Sequence, residues 1–204
     1  MLPGHGNSVE AFGRSSMEQW KRYVWDVFRQ LSRTHERIIL VGHSMGTLFS
    51  LQLALEHPGQ VPFLFLIAVP MRPGVKLFGA INCLKLAFGG LREDRPIEAA
   101  TKRVCSVTHT RKLWKYARWI PRFLELFREI RLTGQRMGNL SVPCVAYQSR
   151  RDELVRRKSK RILEQSGVME VHELSGSTHF YYAPQDQAAV RQDFFNRMNG
   201  IAAK

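Results

Sequence analysis

Short apolar runs alternate with amphipathic segments along this 204-residue chain. Four of the runs predict core strands, at about residues 37–41, 61–69, 142–148 and 169–174. Several of the segments between and after them repeat apolar side chains every three or four residues, which is typical of helices with one buried face. The pattern predicts an α/β fold with a mostly parallel sheet and flanking helices.

Two helices near the ends of the chain carry clear apolar faces. The first is predicted from about Ser16 to Arg33, and Ser15 with Glu18 forms a capping-box pattern at its start. The predicted apolar face of the last helix consists of Val190, Phe194, Phe195 and Met198.

The segment between the second and third predicted strands is long and helical. We expect a single domain over residues 1–204, with a helical lid inserted at about residues 72–140. The predicted lid helices are Val75–Phe88, Ile97–Val104, and Arg111–Leu132 with a kink or break at Pro121. The aromatic and apolar residues of the last of these could line a ligand pocket or pack on the core: Leu113, Trp114, Tyr116, Trp119, Ile120, Phe123, Leu124 and Phe127.

The pentapeptide at residues 42–46, Gly-His-Ser-Met-Gly, follows the first apolar run and precedes a helix-like stretch at 47–55. Strand, G-x-S-x-G and helix in this order predict a nucleophile elbow with Ser44 as the nucleophile. A serine hydroxyl attacks well when a sharp turn holds it beside a base and beside donors for an oxyanion. Gly42 and Gly46 would permit the tight turn and close packing of the helix on the strand. The alternative is a Gly/Ser turn without chemistry.

A serine nucleophile needs a base and a group that orients the base, and candidates follow two later strands. Asp152 lies in a loop after the strand at 142–148, and His179 lies in a loop after the strand at 169–174. Because the carboxyl ends of strands in such sheets gather catalytic groups, we expect Ser44, Asp152 and His179 to meet there.

Four segments together resemble the α/β-hydrolase family, specifically the bacterial carboxylesterases and monoacylglycerol lipases: residues 2–8 (LPGHGNS), 41–46 (VGHSMG), 148–155 (QSRRDELV) and 177–179 (STH). The resemblance implies that Ser44 is the nucleophile, His179 the general base and acid, and Asp152 the orienter of the imidazole. It also implies that the backbone N–H of Met45 is one oxyanion donor, that the substrate is a small acyl ester, and that no metal or organic cofactor is needed.

Other residues compete for the two supporting roles. Glu153 adjoins Asp152, although the family pattern places Asp just before an apolar pair such as Leu154-Val155. The other six histidines are also candidates for the base. His172 is expected to face solvent or lie beside the core, His43 is expected to support the nucleophile, His5 belongs to the amino-terminal loop, and three have no motif around them: His35, His57 and His109.

The amino-terminal segment departs from the family pattern. Residues 2–8 match a Gly-His-Gly-x-Ser loop that comes one strand before the helix leading to the elbow, and only one helix fits between Gly6 and Glu36. We therefore expect the chain to lack the first strands of the fold, one helix and one oxyanion donor, as a truncated gene model would. Loss of such a donor typically lowers turnover about 100- to 1,000-fold. The edge of the strand at 37–41 would be exposed.

Charge is the second unusual feature of the chain. The formal net charge is +14, and basic residues cluster at 111–118 and 150–161. A basic lid with tryptophans could contact an anionic membrane surface or bind nucleic acid nonspecifically, or the charges could form a solvated surface. No motif for specific nucleic-acid binding accompanies them, and the sequence does not fix the oligomeric state.

Two functions of different class follow. The first is a serine hydrolase of a monoacylglycerol, a short-chain carboxylester or a thioester; amide cleavage is possible in principle, but nothing in the lid marks an acid that would recognise an amine. The second is a catalytically impaired scaffold that binds membranes or polyanions. Three cysteines without C-x-x-C spacing (Cys83, Cys105, Cys144), no signal-peptide pattern, and a longest apolar run too short to span a bilayer favour a cytoplasmic protein.

Overall fold

The structure is a computed structural model, and it describes residues 1–104, 107–108 and 110–202. The expectations that concern Cys105, His109 and the side chain of Cys83 lie outside the described residues. No helix of the described residues is both long enough and apolar enough to cross a membrane.

Four parallel strands form the sheet of the described part of the chain. They are β1 (Leu40–His43), β2 (Leu64–Ile67), β3 (Cys144–Ser149) and β4 (Glu170–Leu174), and they lie in the order β1-β2-β3-β4. All four strands predicted from the sequence are present, which confirms the α/β class. Because the strands are parallel, the loops that follow them lie together at the carboxyl ends of the strands, called the carboxyl edge of the sheet below.

Eight α-helices surround this sheet in the described residues: α1 (Val9–Arg14), α2 (Met17–Leu31), α3 (Met45–Glu56), α4 (Leu77–Phe88), α5 (Pro96–Val104), α6 (Ile120–Arg136), α7 (Lys158–Ser166) and α8 (Pro184–Ala202). Two 3₁₀ helices, Leu113–Trp119 and Met137–Asn139, flank α6. The segment at residues 72–140, called the insertion below, thus contains α4, α5, the 3₁₀ helices and α6.

The sheet separates two apolar cores, because successive strand residues point to opposite faces. On one face, Leu64 and Leu66 of β2 pack with residues of α3, α6 and α7 in the larger core. On the other face, Phe63 and Phe65 pack with residues of α8 in the smaller core. This alternation places one helical layer on each side of the sheet.

The expected apolar face of α8 is present, and one of its four members lies at its open margin. Val190, Phe194 and Met198 pack on the smaller core, where the ring of Phe194 meets that of Phe65 edge to face. Phe195 lines a groove with Val190, Phe194 and the strand residue Val41, but it is 48% exposed and has the guanidinium of Arg191 over its ring.

One local prediction about a helix start needs correction, and another is confirmed. The capping box of α2 is formed by Ser16 and Gln19, whereas the Ser15 hydroxyl donates to the carbonyl of Phe12 in the preceding short helix α1, which the sequence did not predict. The break predicted at Pro121 is present, since the 3₁₀ helix ends at Trp119, α6 begins at Ile120, and Pro121 lies in the first turn of α6. Proline is tolerated there because the first helical N–H groups have no partner within the helix.

Strand β1 forms one edge of the sheet. The backbone N–H groups of Leu40 and Ser44 donate to the carbonyls of Phe63 and Ile67, and no strand of the described residues pairs with the opposite side of β1. Val41 is 58% exposed there. The edge is exposed as the sequence predicted, and such an edge can pair with other chains.

Candidate active site

Ser44 occupies the single-residue turn between β1 and α3. Its backbone has φ 52° and ψ −124°, a conformation that non-glycine residues rarely adopt. Its N–H donates to the carbonyl of Ile67 at 2.9 Å, and its carbonyl accepts from the N–H and hydroxyl of Thr47 at 3.0 and 2.6 Å. These bonds hold Ser44 in the strained conformation, and strain of this kind is concentrated at functional sites.

The two glycines of the pentapeptide have different surroundings. A Cβ atom on Gly42 would lie 2.8 Å from Cα of Thr47 and 2.9 Å from Oγ of Ser50, so the close approach of β1 to α3 requires glycine. A Cβ on Gly46 would meet no described atom within 4 Å. The expectation that both glycines are needed for packing therefore holds only for Gly42.

Asp152 and His179 form a buried pair at the carboxyl edge of the sheet. Oδ2 of Asp152 lies 2.9 Å from Nδ1 of His179, and the two residues are 1% and 2% exposed. Oδ1 of Asp152 accepts the backbone N–H groups of Leu154 and Val155 at 2.8 and 2.7 Å. The carboxylate is thus fixed by its own loop, and it can hold the imidazole with the proton on Nδ1 and leave Nε2 as a base.

The backbone of His179 is held on both sides. Its N–H donates to Oε2 of Glu153 at 2.8 Å, and its carbonyl lies 3.2 Å from Nε2 of His43, which must carry the proton of that bond. The rings of His43 and His179 are 4.9 Å apart. The residue before Ser44 therefore contacts the candidate base directly, whereas the Ser44 hydroxyl makes no hydrogen bond with the described residues.

Two acidic residues at this site were not recognised in these positions from the sequence. Glu153 was considered only as a competitor of Asp152, and the structure places its carboxylate on the backbone of His179 instead. Asp186, in the first turn of α8, accepts the N–H of Gly176 and the hydroxyl of Ser177. A serine and a glycine just before the histidine, followed by an acid at the start of a helix, is the signal that could have indicated this second anchor.

Burial changes the acidity of two side chains near the pair. Desolvation first, and the neighbouring His179 second, lower the pKa of His43 to about 4, although part of the residue is open to solvent. Burial also raises the pKa of Tyr182, and the charges of Asp152 and Glu153 add to the effect. The Tyr182 hydroxyl is buried and has no hydrogen-bond partner among the described residues.

The other described histidines lie in different surroundings. The ring of His5 lies between Phe12 and Trp20, that of His57 packs on Phe28, and that of His172 stacks on Tyr147, while His35 is exposed beside Thr34. His43 and His179 are therefore the two described histidines whose rings meet beside Asp152.

The expected pocket-lining residues of the insertion are mostly exposed to solvent. Six of the eight are exposed: Leu113, Trp114, Ile120, Phe123, Leu124 and Phe127. The ring of Trp119 packs on Phe12 and Tyr116. A cavity of about 340 Å³ beside the His179 loop is lined by α5 residues and by Phe180, Tyr181 and Tyr182.

The sequence matches one family model over most of its length. The model is Hydrolase_4, described as serine aminopeptidase S33, and the match covers residues 2–182. No curated protein sequence matches the chain significantly.

Solved structures of low sequence identity are similar to the chain. A structure from a study of LipS and LipT, two metagenome-derived lipolytic enzymes, is 18% identical with a TM-score of 0.68 and covers 97% of this chain and 80% of its own. The monoacylglycerol lipase of Paleococcus ferrophilus is 15% identical (TM-score 0.59; 88% and 74%). A structure from work on carboxylesterases of Nitrososphaera gargenis is 16% identical (TM-score 0.53; 94% and 73%). At these identities the similarity establishes the fold.

Proposed function

Because the chain belongs to the α/β-hydrolase family described as serine aminopeptidase S33, we propose that it is a serine hydrolase and that carboxylic esters are its substrates. Membership of this family confirms the fold class predicted from the sequence. The observation that carries the proposal is the buried pair of Asp152 and His179 at the sheet edge where the strained Ser44 turn lies. Acyl transfer by a serine requires a base that is oriented by a carboxylate.

The proposed reaction has two stages. Ser44 Oγ attacks the ester carbonyl carbon while Nε2 of His179 takes the hydroxyl proton, and the same proton then passes to the leaving alcohol as the C–O bond breaks. Water next attacks the acyl-enzyme with His179 again as the base, which releases the acid and restores Ser44. Asp152 holds Nδ1–H throughout and stabilises the imidazolium. No metal or organic cofactor takes part in these steps.

The backbone N–H of Met45 is the proposed oxyanion donor. Met45 is the first residue of the 12-residue helix α3, so its N–H has no partner within that helix. The positive end of the helix dipole adds to the stabilisation of a negative oxygen at this position.

Esters are favoured over peptides because of the acidic residues of the insertion. An enzyme that selects a free amino terminus needs an unpaired carboxylate near its substrate. Each of the five acids of the insertion faces a basic side chain in the structure: Glu93 with Lys102, Asp94 with Arg92, Glu98 with Lys85 and Arg95, Glu125 with Arg122, and Glu129 with Lys21. A monoacylglycerol or a short-chain carboxylester is therefore the proposed substrate. The lipolytic enzymes and the monoacylglycerol lipase among the similar structures support this choice.

Covalent labelling by a fluorophosphonate tests the proposal. We expect one adduct by mass spectrometry, absent from Ser44→Ala, and hydrolysis of nitrophenyl esters in preference to an aminoacyl nitroanilide. A folded protein that is neither labelled nor active on any ester would contradict the proposal. It would leave the alternative of a catalytically impaired binding scaffold.

A specific surface also supports the proposed contact with an anionic membrane. Four exposed apolar residues recur at helical spacing on one face of α6: Ile120, Phe123, Leu124 and Phe127. Trp114 is also exposed, on the 3₁₀ helix that precedes α6. The basic residues around them are exposed too: Arg111, Lys112, Arg118, Arg128 and Arg131. The two acids of α6, Glu125 and Glu129, bond instead to groups of α2 and α3. An apolar stripe with a basic border suits an interface with anionic lipid.

Sedimentation with vesicles tests this surface separately from catalysis, because Ser44→Ala should bind equally well. We expect binding to phosphatidylglycerol-containing vesicles that weakens with salt, and loss of it in the double variant Leu124→Ser/Phe127→Ser. Phe195→Ser is the matched control, because Phe195 is similarly exposed but lies on α8. Equal binding by all variants, or binding to heparin but not to vesicles, would contradict the membrane contact.

A further inference from the structure

Glu153 is a second buried carboxylate beside the candidate catalytic pair. It is 3% exposed, and its Oε2 accepts the backbone N–H of His179 at 2.8 Å. Burying a carboxylate costs free energy, which a charge-assisted hydrogen bond to a group of the protein can offset. Here the bond fixes the main chain that carries the imidazole, while the neighbouring Asp152 fixes the ring itself.

The same residue is also attached to the start of the insertion. The carbonyl of Glu153 accepts the N–H of Lys76 at 2.8 Å, and the next carbonyl, that of Leu154, accepts the N–H of Gly74 at 2.8 Å. Gly79 in the first turn of α4 lies against the side chain, because a Cβ atom there would be 2.9 Å from Cβ of Glu153. Glu153 is therefore held by the start of the insertion through its main chain, and it holds the main chain of His179 through its carboxylate.

We propose that Glu153 is a positioning residue: it holds the main chain of His179 so that Nε2 is directed at Ser44, and the start of the insertion holds Glu153 in place. The kinetic part of this inference rests on the proposed hydrolase function. The structural part, that Glu153 keeps the His179 amide bonded, stands without it. A misplacement of about 1 Å in a catalytic group can cost about 100-fold in rate.

Three substitutions separate the hydrogen bond from the charge. Glu153→Gln keeps an oxygen acceptor in place without the charge, Glu153→Asp keeps the charge but withdraws the acceptor, and Glu153→Ala removes both. If the bond to His179 matters, Gln should retain kcat within about threefold, whereas Asp and Ala should lower kcat about 10- to 100-fold with KM nearly unchanged. Gly79→Ala should produce a smaller fall in kcat, because it pushes on an unaltered Glu153.

Glu98→Ala is the matched control for the loss of a buried carboxylate. Glu98 is also buried and also accepts a backbone N–H, that of Arg92 at 2.8 Å, but its other partners are Lys85 and Arg95 rather than the main chain of His179. It should lower thermal stability without lowering kcat in the protein that remains folded. Equal losses of kcat in Glu98→Ala and Glu153→Ala would reduce Glu153 to a structural role and overturn the proposal.

Amide hydrogen exchange of His179, followed by NMR on protein labelled with ¹⁵N-histidine, gives a readout that needs no activity. We expect the amide to be protected in the unaltered protein and in Glu153→Gln, and to exchange much faster in Glu153→Asp and Glu153→Ala. Unchanged protection in Glu153→Ala would overturn the inference. Faster exchange in Glu153→Ala of a protein that hydrolyses no ester would confirm that Glu153 keeps the His179 amide bonded, and it would contradict the hydrolase function instead.

Discussion

Nε2 of His43 lies 3.2 Å from the carbonyl oxygen of His179, so the residue before the candidate nucleophile is bonded to the main chain of the candidate base. This contact joins the end of β1 to the loop that follows β4, at the carboxyl ends of the strands. Since the carbonyl can only accept, the bond requires a proton on Nε2 of His43.

Acidification should destabilise the protein through His43. Its pKa is near 6.5 in the unfolded chain and about 4 in the folded one, so between these values the unfolded chain binds a proton that the folded chain does not. Stability from this group is therefore complete above pH about 6.5 and is lost as the pH falls toward 4. Urea unfolding midpoints across this range should fall less steeply for His43→Gln; identical pH dependence in both proteins would show that His43 contributes nothing.

Asp152→Asn should abolish most activity without unfolding the chain. The remaining amide oxygen can still accept the N–H groups of Leu154 and Val155, but the imidazole loses the partner that fixes its tautomer. By analogy with serine triads, we expect kcat to fall by about 10,000-fold. Asp186→Asn is the comparison: Asp186 anchors the His179 loop rather than its ring, and its loss should cost far less. A fall below tenfold in Asp152→Asn would remove Asp152 from its proposed role.

Alanine at Gly42 and alanine at Gly46 should have opposite outcomes. The added methyl at Gly42 meets Thr47 and Ser50 below normal contact distance and should lower the free energy of unfolding by about 1–3 kcal/mol. At Gly46, inside α3, nothing in the described chain obstructs it, and the better helix propensity of alanine should leave stability unchanged or raise it by up to about 1 kcal/mol. Chemical denaturation of both variants checks the pair, and equal destabilisation would contradict the packing described here.

Cys144 should be unreactive in the native protein. Burial raises the pKa of its thiol to about 12, and its Sγ lies 3.3 Å from the carbonyl of Val168. Alkylation at pH about 8, where a free thiol near its ordinary pKa is partly ionised, should leave Cys144 unmodified until urea unfolds the sheet. Peptide mapping by mass spectrometry identifies the residue, and rapid native modification of Cys144 would show that β3 opens locally.

The order of elements could be predicted from the sequence, because hydrophobic periodicity depends on burial alone. The ends of strands depend on hydrogen-bond pairing, so their predicted positions were less exact. Strand β1 was placed at 37–41 by its apolar side chains, but the ladder with β2 includes Gly42 and His43, whose side chains give no apolar signal. Capping was predicted one residue early, since Ser15 and Ser16 are equivalent in sequence and differ only in what their hydroxyls meet.

Residues of the candidate site could be predicted where they belong to a sequence motif, and could not be predicted where their role depends only on a tertiary contact. Ser44, Asp152 and His179 were proposed from strand-end motifs, and the structure brings the last two into contact. The use of Glu153 was not predictable, because the N–H it accepts lies 26 residues away and main-chain acceptors leave no pattern in sequence. The exposure of Phe195 was not predictable either, since helical spacing does not distinguish it from Phe194.

The bonds between residues 72–76 and residues 153–156 have a consequence for how a substrate would enter. Arg72, Gly74 and Lys76 are tied by main-chain bonds to the loop that carries Asp152, and the last turns of α6 are embedded in the larger core through Ile130. Lifting the insertion as one body would break these bonds and disturb the carboxylates that hold His179. Substrate entry and product release should therefore leave the framework around the histidine fixed during turnover.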